Sequence, residues 1–120
     1  MGDWYSRPVL AVRDAPAALA FYADRLGFKE DWRYAEEGRL RIVQVSRQGC
    51  EVILSDQWPD EAGQGRLFIS LDAPEFAAMQ SDLASRGVDL RPGQWGYELL
   101  VVEDPDGNRL WFPRADPAMS

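Results

Sequence analysis

The sequence predicts an α+β fold of two βαβββ modules within one domain, and three observations support this prediction. A chain of 120 residues can bury a core in a single domain without disulfides or a structural metal. Two segments have helical apolar spacing, and each follows one short strand pattern and precedes three more. The halves are nearly equal in length, which indicates an internal structural repeat. We expect one domain over residues 1–120, with module 1 at about 7–56, a linker at 57–65 and module 2 at about 66–113.

The first module begins with the segment RPVLAVRD, residues 7–14, in which alternating apolar residues predict a strand. Leu10 and Val12 lie on one face of that strand, and Val9 and Ala11 lie on the other. Asp14 is then expected to cap a helix over residues 15–28. Its apolar residues at helical spacing are Leu19, Tyr22, Ala23 and Leu26. Residues 28–56 predict three strands, because turn residues interrupt them near 36–38 and 48–49.

The second module repeats this order. Residues 66–72, RLFISLD, predict a strand in which Leu67, Ile69 and Leu71 share one face. A helix follows over residues 73–87, and its expected buried stripe consists of Phe76, Met79, Gln80 and Leu83. The segment after Gly87 supplies one short and two longer strands. The two longer strands are joined by Asp-Pro-Asp-Gly-Asn at 104–108, which has the Pro, Gly and Asx residues of a tight turn.

Composition excludes several classes of function. The chain has 13 Lys and Arg against 20 Asp and Glu, and this net charge of −7 disfavours nucleic acid and anionic membranes. There is no histidine, so imidazole chemistry and His-containing metal sites are impossible. The single cysteine, Cys50, cannot form an intramolecular disulfide, and we expect it to be a small buried side chain. No apolar run approaches the length of a membrane span, which predicts a soluble, cytoplasmic protein.

Two segments together resemble a known family. Residues 8–28, PVLAVRDAPAALAFYADRLGF, and residues 103–112, EDPDGNRLWF, are similar to the glyoxalase, bleomycin resistance protein and extradiol dioxygenase family, also called the vicinal oxygen chelate superfamily. The resemblance covers residues 7–113 and implies that the sheets of the paired modules curl around a cavity. It also implies a homodimer, which is the usual assembly in this family.

Enzymes of this superfamily hold a metal on the cavity faces of the first and fourth strands of each module. The matching positions in this chain are Arg7, Ile53, Arg66 and Trp111, and a shift of two residues would replace Ile53 with Glu51. This set cannot bind a divalent metal, because it consists of two guanidiniums, an indole and one further side chain. That side chain is either apolar or a single carboxylate. We therefore predict that the metal site of the family is absent and that no cofactor is bound.

The aromatic residues indicate that such a cavity binds an aromatic ligand and not a metal. The chain has five Trp, about three times ordinary usage. Trp111 should face the cavity, because Leu110 and Phe112 alternate with it and face the helices. The piece Gln-Trp-Gly around Trp95 resembles a turn that borders the drug cleft in bleomycin resistance proteins. The candidate ligand-binding residues are Trp32, Tyr34, Glu51, Ile53, Trp58, Arg66, Phe68, Trp95 and Trp111.

The leading prediction is a metal-free binding protein of the bleomycin-resistance type, which confers antibiotic resistance by sequestering a flat, cationic aromatic compound. Aromatic stacking and the negative charge favour such a ligand. Arg7 and Arg66 would repel a cationic ligand, unless they lie at the rim of the cavity or pair with Glu51. One alternative is an isomerase or lyase, free of metal or with an oxygen-bound metal, in which Glu51, Glu98 or Asp56 acts as a base. Another is an accessory subunit whose Trp residues bury a partner surface.

Overall fold

The computed structural model describes residues 2–114, and the first half of these forms a four-stranded sheet. Its strands are β1 (Val9–Ala11), β2 (Lys29–Glu36), β3 (Arg39–Arg47) and β4 (Cys50–Ser55). The order across the sheet is β1-β4-β3-β2, with β1 parallel to β4 and the other pairs antiparallel. Helix α1 (Ala15–Ala20) connects β1 to β2. The first βαβββ module is therefore confirmed.

The second half repeats the same arrangement. Its strands are β5 (Arg66–Phe68), β6 (Arg91–Gln94), β7 (Glu98–Glu103) and β8 (Arg109–Pro113), and helix α2 (Ala73–Ser85) follows β5. The order β5-β8-β7-β6 corresponds strand by strand to that of the first sheet. A short 3₁₀ helix at Pro59–Glu61 lies between the modules. The predicted α+β fold of two modules is confirmed, although β1 and β5 are shorter than the segments 7–14 and 66–72.

The helix expected over residues 15–28 is α-helical only in its first half. It continues as a π-helix at Phe21–Arg25, in which the Leu26 N–H donates to the Phe21 carbonyl at 3.2 Å. The buried residues of this segment are spaced three and four residues apart, as on one face of a helix. Tyr22 and Leu26 are buried as predicted, whereas Leu19 and Ala23 are only half-buried, and Ala15 and Ala18 take the buried positions instead.

The helices pack on one face of each sheet and form the core there. Alternate strand residues such as Leu10, Val43 and Leu54 in module 1 and Val102 and Leu110 in module 2 are almost fully buried. Helix α2 adds Phe76, Met79 and Leu83 to this core. Gln80 was predicted to lie on the same stripe but is exposed. The buried residues of α2 are spaced three and four residues apart, and this narrower stripe does not include position 80.

A buried polar network joins the two modules at the turn between β7 and β8. The hydroxyl of Tyr22 donates to the Asp104 carboxylate at 2.9 Å, and the Asn108 amide donates to the same carboxylate at 3.0 Å and to the carbonyl of Ala11 at 3.0 Å. The Gly65 N–H, just before β5, donates to the Asn108 side-chain oxygen at 2.8 Å. Burial raises the pKa of Asp104 and that of Tyr22. The network fixes the start of β8 relative to both modules.

Asp56 supports the start of α1 from the end of β4. Asp14 occupies the predicted cap position, but its side chain makes no capping hydrogen bond, and the Ala15 N–H donates instead to the Asp56 carboxylate at 3.0 Å. The Arg41 guanidinium also donates to Asp56. Although burial alone would raise the pKa of Asp56, the Ala15 N–H, Arg41 and Arg39 outweigh it and lower the pKa below its usual value.

We expect Asp56→Asn to destabilise the protein by about 1–3 kcal/mol at pH 7, since charge-assisted hydrogen bonds are lost. The lowered folded-state pKa means that this stabilisation is present above the unfolded-state value of about 4 and is lost as pH falls through the folded-state pKa. Urea unfolding of both proteins from pH 7 down to pH 2.5 should therefore show a difference that shrinks below about pH 4. A difference that stays constant with pH would contradict the assignment.

Candidate functional site

Each sheet has a second face, opposite the helices, and the strand register defines its residues. In the first sheet Val9, Ile53, Gln44 and Trp32 are consecutive partners across four strands, and we call this surface the first face. In the second sheet Phe68, Trp111 and Val101 are consecutive partners, and Arg66 pairs with Arg109. We call this surface the second face. It contains two of the aromatic residues predicted for the site, Phe68 and Trp111, whereas Trp32 lies on the first face.

Four aromatic rings form a cluster on the second face. The ring of Trp95 lies 5.2 Å from that of Trp111 and 5.6 Å from that of Phe68, and the ring of Tyr97 lies 6.4 Å from Phe68. All the rings are tilted or edge-on to one another, which is a favourable aromatic geometry. Trp95 is 57% exposed and Phe68 is 41% exposed, while Trp111 is half-buried beneath them. We call these four residues the aromatic cluster.

Local sequence explains why these rings converge. Trp111 and Phe68 are direct partners of the parallel strands β8 and β5, so their side chains leave the sheet on the same side. Trp95 and Tyr97 lie in the turn between β6 and β7, where Gly96 adopts a φ of +68° and the Trp95 N–H donates to the Tyr97 carbonyl at 3.0 Å. The turn therefore places Trp95 over the strand residues.

Arg66 lies over the edge of the aromatic cluster. Its guanidinium carbon is 5.9 Å from the centre of the Trp111 ring, within the range of a cation–π contact. The neighbouring Arg109 pairs with Glu103 at 3.3 Å, whereas no carboxylate of the described residues lies within 4.0 Å of Arg66. Arg66 thus faces the predicted ligand site and keeps hydrogen-bond donors free for a ligand oxygen.

The first face is organised by the amide of Gln44, which is buried. Its oxygen accepts from the Arg7 guanidinium at 2.6 Å and from the Trp32 indole at 3.0 Å. Its nitrogen donates to Asp31 at 3.0 Å and to Glu51 at 3.4 Å. Hydrogen bonding from Gln44, assisted by Ser46 and Lys29, outweighs desolvation and lowers the pKa of Asp31. Gln44 therefore holds an indole, a guanidinium and two carboxylates in one arrangement.

The structure places the other candidate residues differently. Ile53 is half-buried on the first face beside Gln44, and Tyr34 is exposed there with its hydroxyl donating to Glu36 at 3.1 Å. Arg7 bonds the Gln44 amide and not Glu51. Trp58 lies in the linker before the 3₁₀ helix, is 54% exposed, and contacts no other aromatic ring within residues 2–114. Trp58 is therefore not part of either face.

Tyr97 and Gln44 make central contacts on these faces and were not predicted. Tyr97 lies two residues after Trp95, and its aromatic character within the same turn was a usable signal. Gln44 is a polar residue inside the apolar strand segment Arg-Ile-Val-Gln-Val, where a buried amide requires partners. Such an interruption indicates a functional or structural polar contact, although the sequence does not reveal which side chains provide it.

The positions that hold metal in the enzymes of the superfamily carry Arg7, Ile53, Arg66 and Trp111 in this chain. Arg7 and Arg66 present only nitrogen donors, and Trp111 contributes a ring to the aromatic cluster. Across the part of the chain that the structure describes, no three Asp, Glu or Cys side chains come together as potential metal ligands. These residues do not fit the metal of the family.

The fold and the two faces agree with the family comparison. The profile of the Glyoxalase/Bleomycin resistance protein/Dioxygenase superfamily matches residues 4–112, and the chain belongs to this superfamily. No protein among the curated sequences matches it. Within residues 2–114, no helix is long and apolar enough to cross a membrane.

Solved structures share the fold at low sequence identity. An antibiotic-binding protein, TnmS3 from Streptomyces sp. CB03234, is 24% identical with a TM-score of 0.71, and the match covers 94% of this chain and 97% of that one. The bleomycin-binding protein of Streptomyces verticillus in complex with copper(II)-bleomycin is 23% identical with a TM-score of 0.73, covering 97% and 100%. A lactoylglutathione lyase from Agrobacterium tumefaciens is 18% identical with a TM-score of 0.68, covering 94% and 95%. At these identities the likeness establishes the fold alone.

We predict that the purified protein contains no stoichiometric transition metal, because the four positions carry no competent ligand set. Elemental analysis should give well below one Zn, Ni, Fe or Cu per chain, and an excess of chelator should leave the melting temperature unchanged. One metal per chain that is removed by chelator with a fall in melting temperature would contradict this prediction.

Proposed function

We propose that this protein binds and sequesters a flat aromatic compound on the aromatic cluster, without turnover and without a metal or cofactor. The observation that carries the proposal is the convergence of Phe68, Trp95, Tyr97 and Trp111 on an open sheet face. Soluble monomers rarely expose contiguous apolar patches of this kind unless the patch binds something. A planar ligand can stack on such rings, and each aromatic pair adds of order 0.5–1.5 kcal/mol beyond area burial.

The charges around the two faces define the ligand further. The net charge of −7 and the carboxylates of Asp31 and Glu51 favour a cationic compound. Arg66 opposes a cation at the aromatic cluster itself and favours a carbonyl, phenolate or carboxylate oxygen of the ligand at that point. We infer a flat aromatic ligand that bears a cationic group and an oxygen-rich edge. By this activity the protein would confer tolerance to an antibiotic in the cytoplasm.

We further propose a two-fold homodimer in which the first face of one copy covers the second face of the other. Both faces expose large apolar side chains, among them Val9, Trp32 and Tyr34 on the first and Phe68 and Trp95 on the second. The carboxylates beside Gln44 complement the cationic Arg66, which has no carboxylate partner within residues 2–114. Two equivalent closed sites would result, because a two-fold operator repeats each contact.

A catalytic alternative has weaker support. A general base in an apolar pocket needs a raised pKa, whereas ion pairing and hydrogen bonds lower the pKa of Asp56. Glu98 is exposed at the start of β7, and Glu51 accepts a hydrogen bond from Gln44. We therefore favour binding over an isomerase or lyase activity. An accessory subunit that uses its Trp residues to bury a partner remains the third candidate.

Trp111→Ala should weaken binding of a flat aromatic ligand by roughly 1–3 kcal/mol, the range of a lost aromatic hot spot. The matched control is Trp58→Ala, which removes an exposed indole of the linker outside the aromatic cluster. Calorimetry with bleomycin and with ethidium, an unrelated flat cation, should show the loss for Trp111→Ala and no change for Trp58→Ala.

Three outcomes would remove the sequestration proposal. They are the absence of any submillimolar binding, equal binding by wild type and Trp111→Ala, and turnover of the bound compound. The last outcome would favour the enzyme alternative.

Sedimentation equilibrium at micromolar concentration should give a mass of twice the 13.6 kDa chain. Val9→Asp should shift this equilibrium toward monomer, because Val9 is an exposed residue of the first face, and a charge there would be buried on association. The exposed Val9 side chain makes little contribution to the core, so the variant should keep its circular dichroism spectrum. A wild-type protein that sediments as a monomer would contradict the dimer.

A further inference from the structure

A cavity lies on the helix side of the second sheet, between the two modules. Its volume is about 370 Å³, and its apolar wall is formed mainly by Leu26, Phe28, Leu71, Met79, Leu83 and Phe112. Phe68 is the one residue that it shares with the aromatic cluster. Protein interiors are close-packed and contain few voids larger than a water molecule. An apolar space of this size lies within the range of small-molecule sites.

The mouth of this cavity is polar and negatively charged. Glu75, in the first turn of α2, accepts a hydrogen bond from the Gln48 amide at 3.2 Å. The nearby Arg47 does not neutralise it, because its guanidinium donates to the Leu26 carbonyl at 2.8 Å and pairs with Asp82 at 2.9 Å. Within residues 2–114, no cation lies within 4.0 Å of the Glu75 carboxylate. Asp82 also pairs with Arg86 at 3.1 Å, so these three charges engage one another, and Glu75 is the carboxylate at the mouth that a ligand cation can contact.

Arg47 is the one cationic residue of the lining, and its guanidinium is already engaged by the Leu26 carbonyl and Asp82. Cys50 contributes its side chain to the lining, and burial raises the pKa of its thiol, so this group is neutral at pH 7. Apart from Arg47, Gln48, Ser70 and Glu75, the lining consists of apolar residues, Cys50 and Gly49. A matching ligand has an apolar body and a single hydrogen-donating, positively charged end.

We propose that this cavity is a second binding site, which takes a small aliphatic or arylalkyl amine. The apolar body lies against Leu83, Met79 and Phe112, and the ammonium group contacts Glu75 at the mouth. At about 370 Å³ the cavity has room for one small ligand of this kind. The net charge of −7 raises the local concentration of such a cation. This site shares Phe68 with the aromatic cluster, but its other lining residues and its proposed ligand differ from those of the cluster.

The test compares octylamine, 1-octanol and octanoate, which share one chain and differ in the charge of the head group. Calorimetry should give one octylamine per chain, with an affinity roughly tenfold above that of octanoate, because Glu75 attracts one and repels the other. Octylamine should also raise the melting temperature and slow the modification of Cys50 by a thiol reagent, since it occupies the space beside the thiol. Cys50 is the single cysteine, so this readout reports on the cavity alone.

Glu75→Gln removes the charge at the mouth and keeps the size of the side chain. Octylamine should bind this variant about threefold to fivefold more weakly, the range for an exposed ion pair, while octanol binding should not change. The matched control is Glu61→Gln, an exposed carboxylate on the 3₁₀ helix away from the cavity, which should leave all three affinities unchanged. Equal affinity for octylamine and octanoate, no binding below 1 mM, or binding without protection of Cys50 would each overturn the proposal.

Discussion

Asn108 and Asp104 form the junction on which both modules depend. The Asn108 side chain bonds the backbone of Ala11, the last residue of β1, and of Gly65, just before β5, so one amide connects the first strand of each module. Asp104 accepts from Asn108 and from the buried hydroxyl of Tyr22 in the π-helical turn. Burying a polar group costs folding free energy unless it finds its hydrogen-bond partners. The network therefore favours the single arrangement of the two modules in which all these hydrogen bonds form.

This junction also determines what each sheet face contains. Because β8 begins directly after Asn108, its alternation is fixed: Leu110 and Phe112 face the helices, and Trp111 faces the open side. A shift of one residue would bury Trp111 and expose the core residues. The same register places Arg66 and Phe68 beside Trp111 on the open face of the second sheet. The cavity that has Glu75 at its mouth lies on the opposite, helix-covered face. Two chemically different surfaces thus arise from one pairing register.

The parts that could be predicted from sequence are those governed by local periodicity. Alternation in the segment 109–113 assigned Trp111 to the open face, and helical spacing identified Met79 and Leu83 as core. The polar contacts of the first face could not be predicted, because Gln44 meets Trp32 and Glu51 only through the registers of β2, β3 and β4. The position of Trp58 could not be predicted either, because it lies in a loop where no periodicity applies, and it contacts no ring of the aromatic cluster. The cavity beside Cys50 depends on packing between modules, which periodicity does not encode.

The central claim is that the aromatic cluster binds the ligand, and fluorine NMR of protein labelled with 5-fluorotryptophan tests it most directly. The chain has five Trp, which give one resonance each and can be assigned by single substitutions. A bound flat aromatic compound should shift the resonances of Trp95 and Trp111 strongly, because ring currents act over a few ångströms, and should leave Trp58 unchanged. A bound compound that shifts Trp58 and leaves both Trp95 and Trp111 unchanged would contradict the claim.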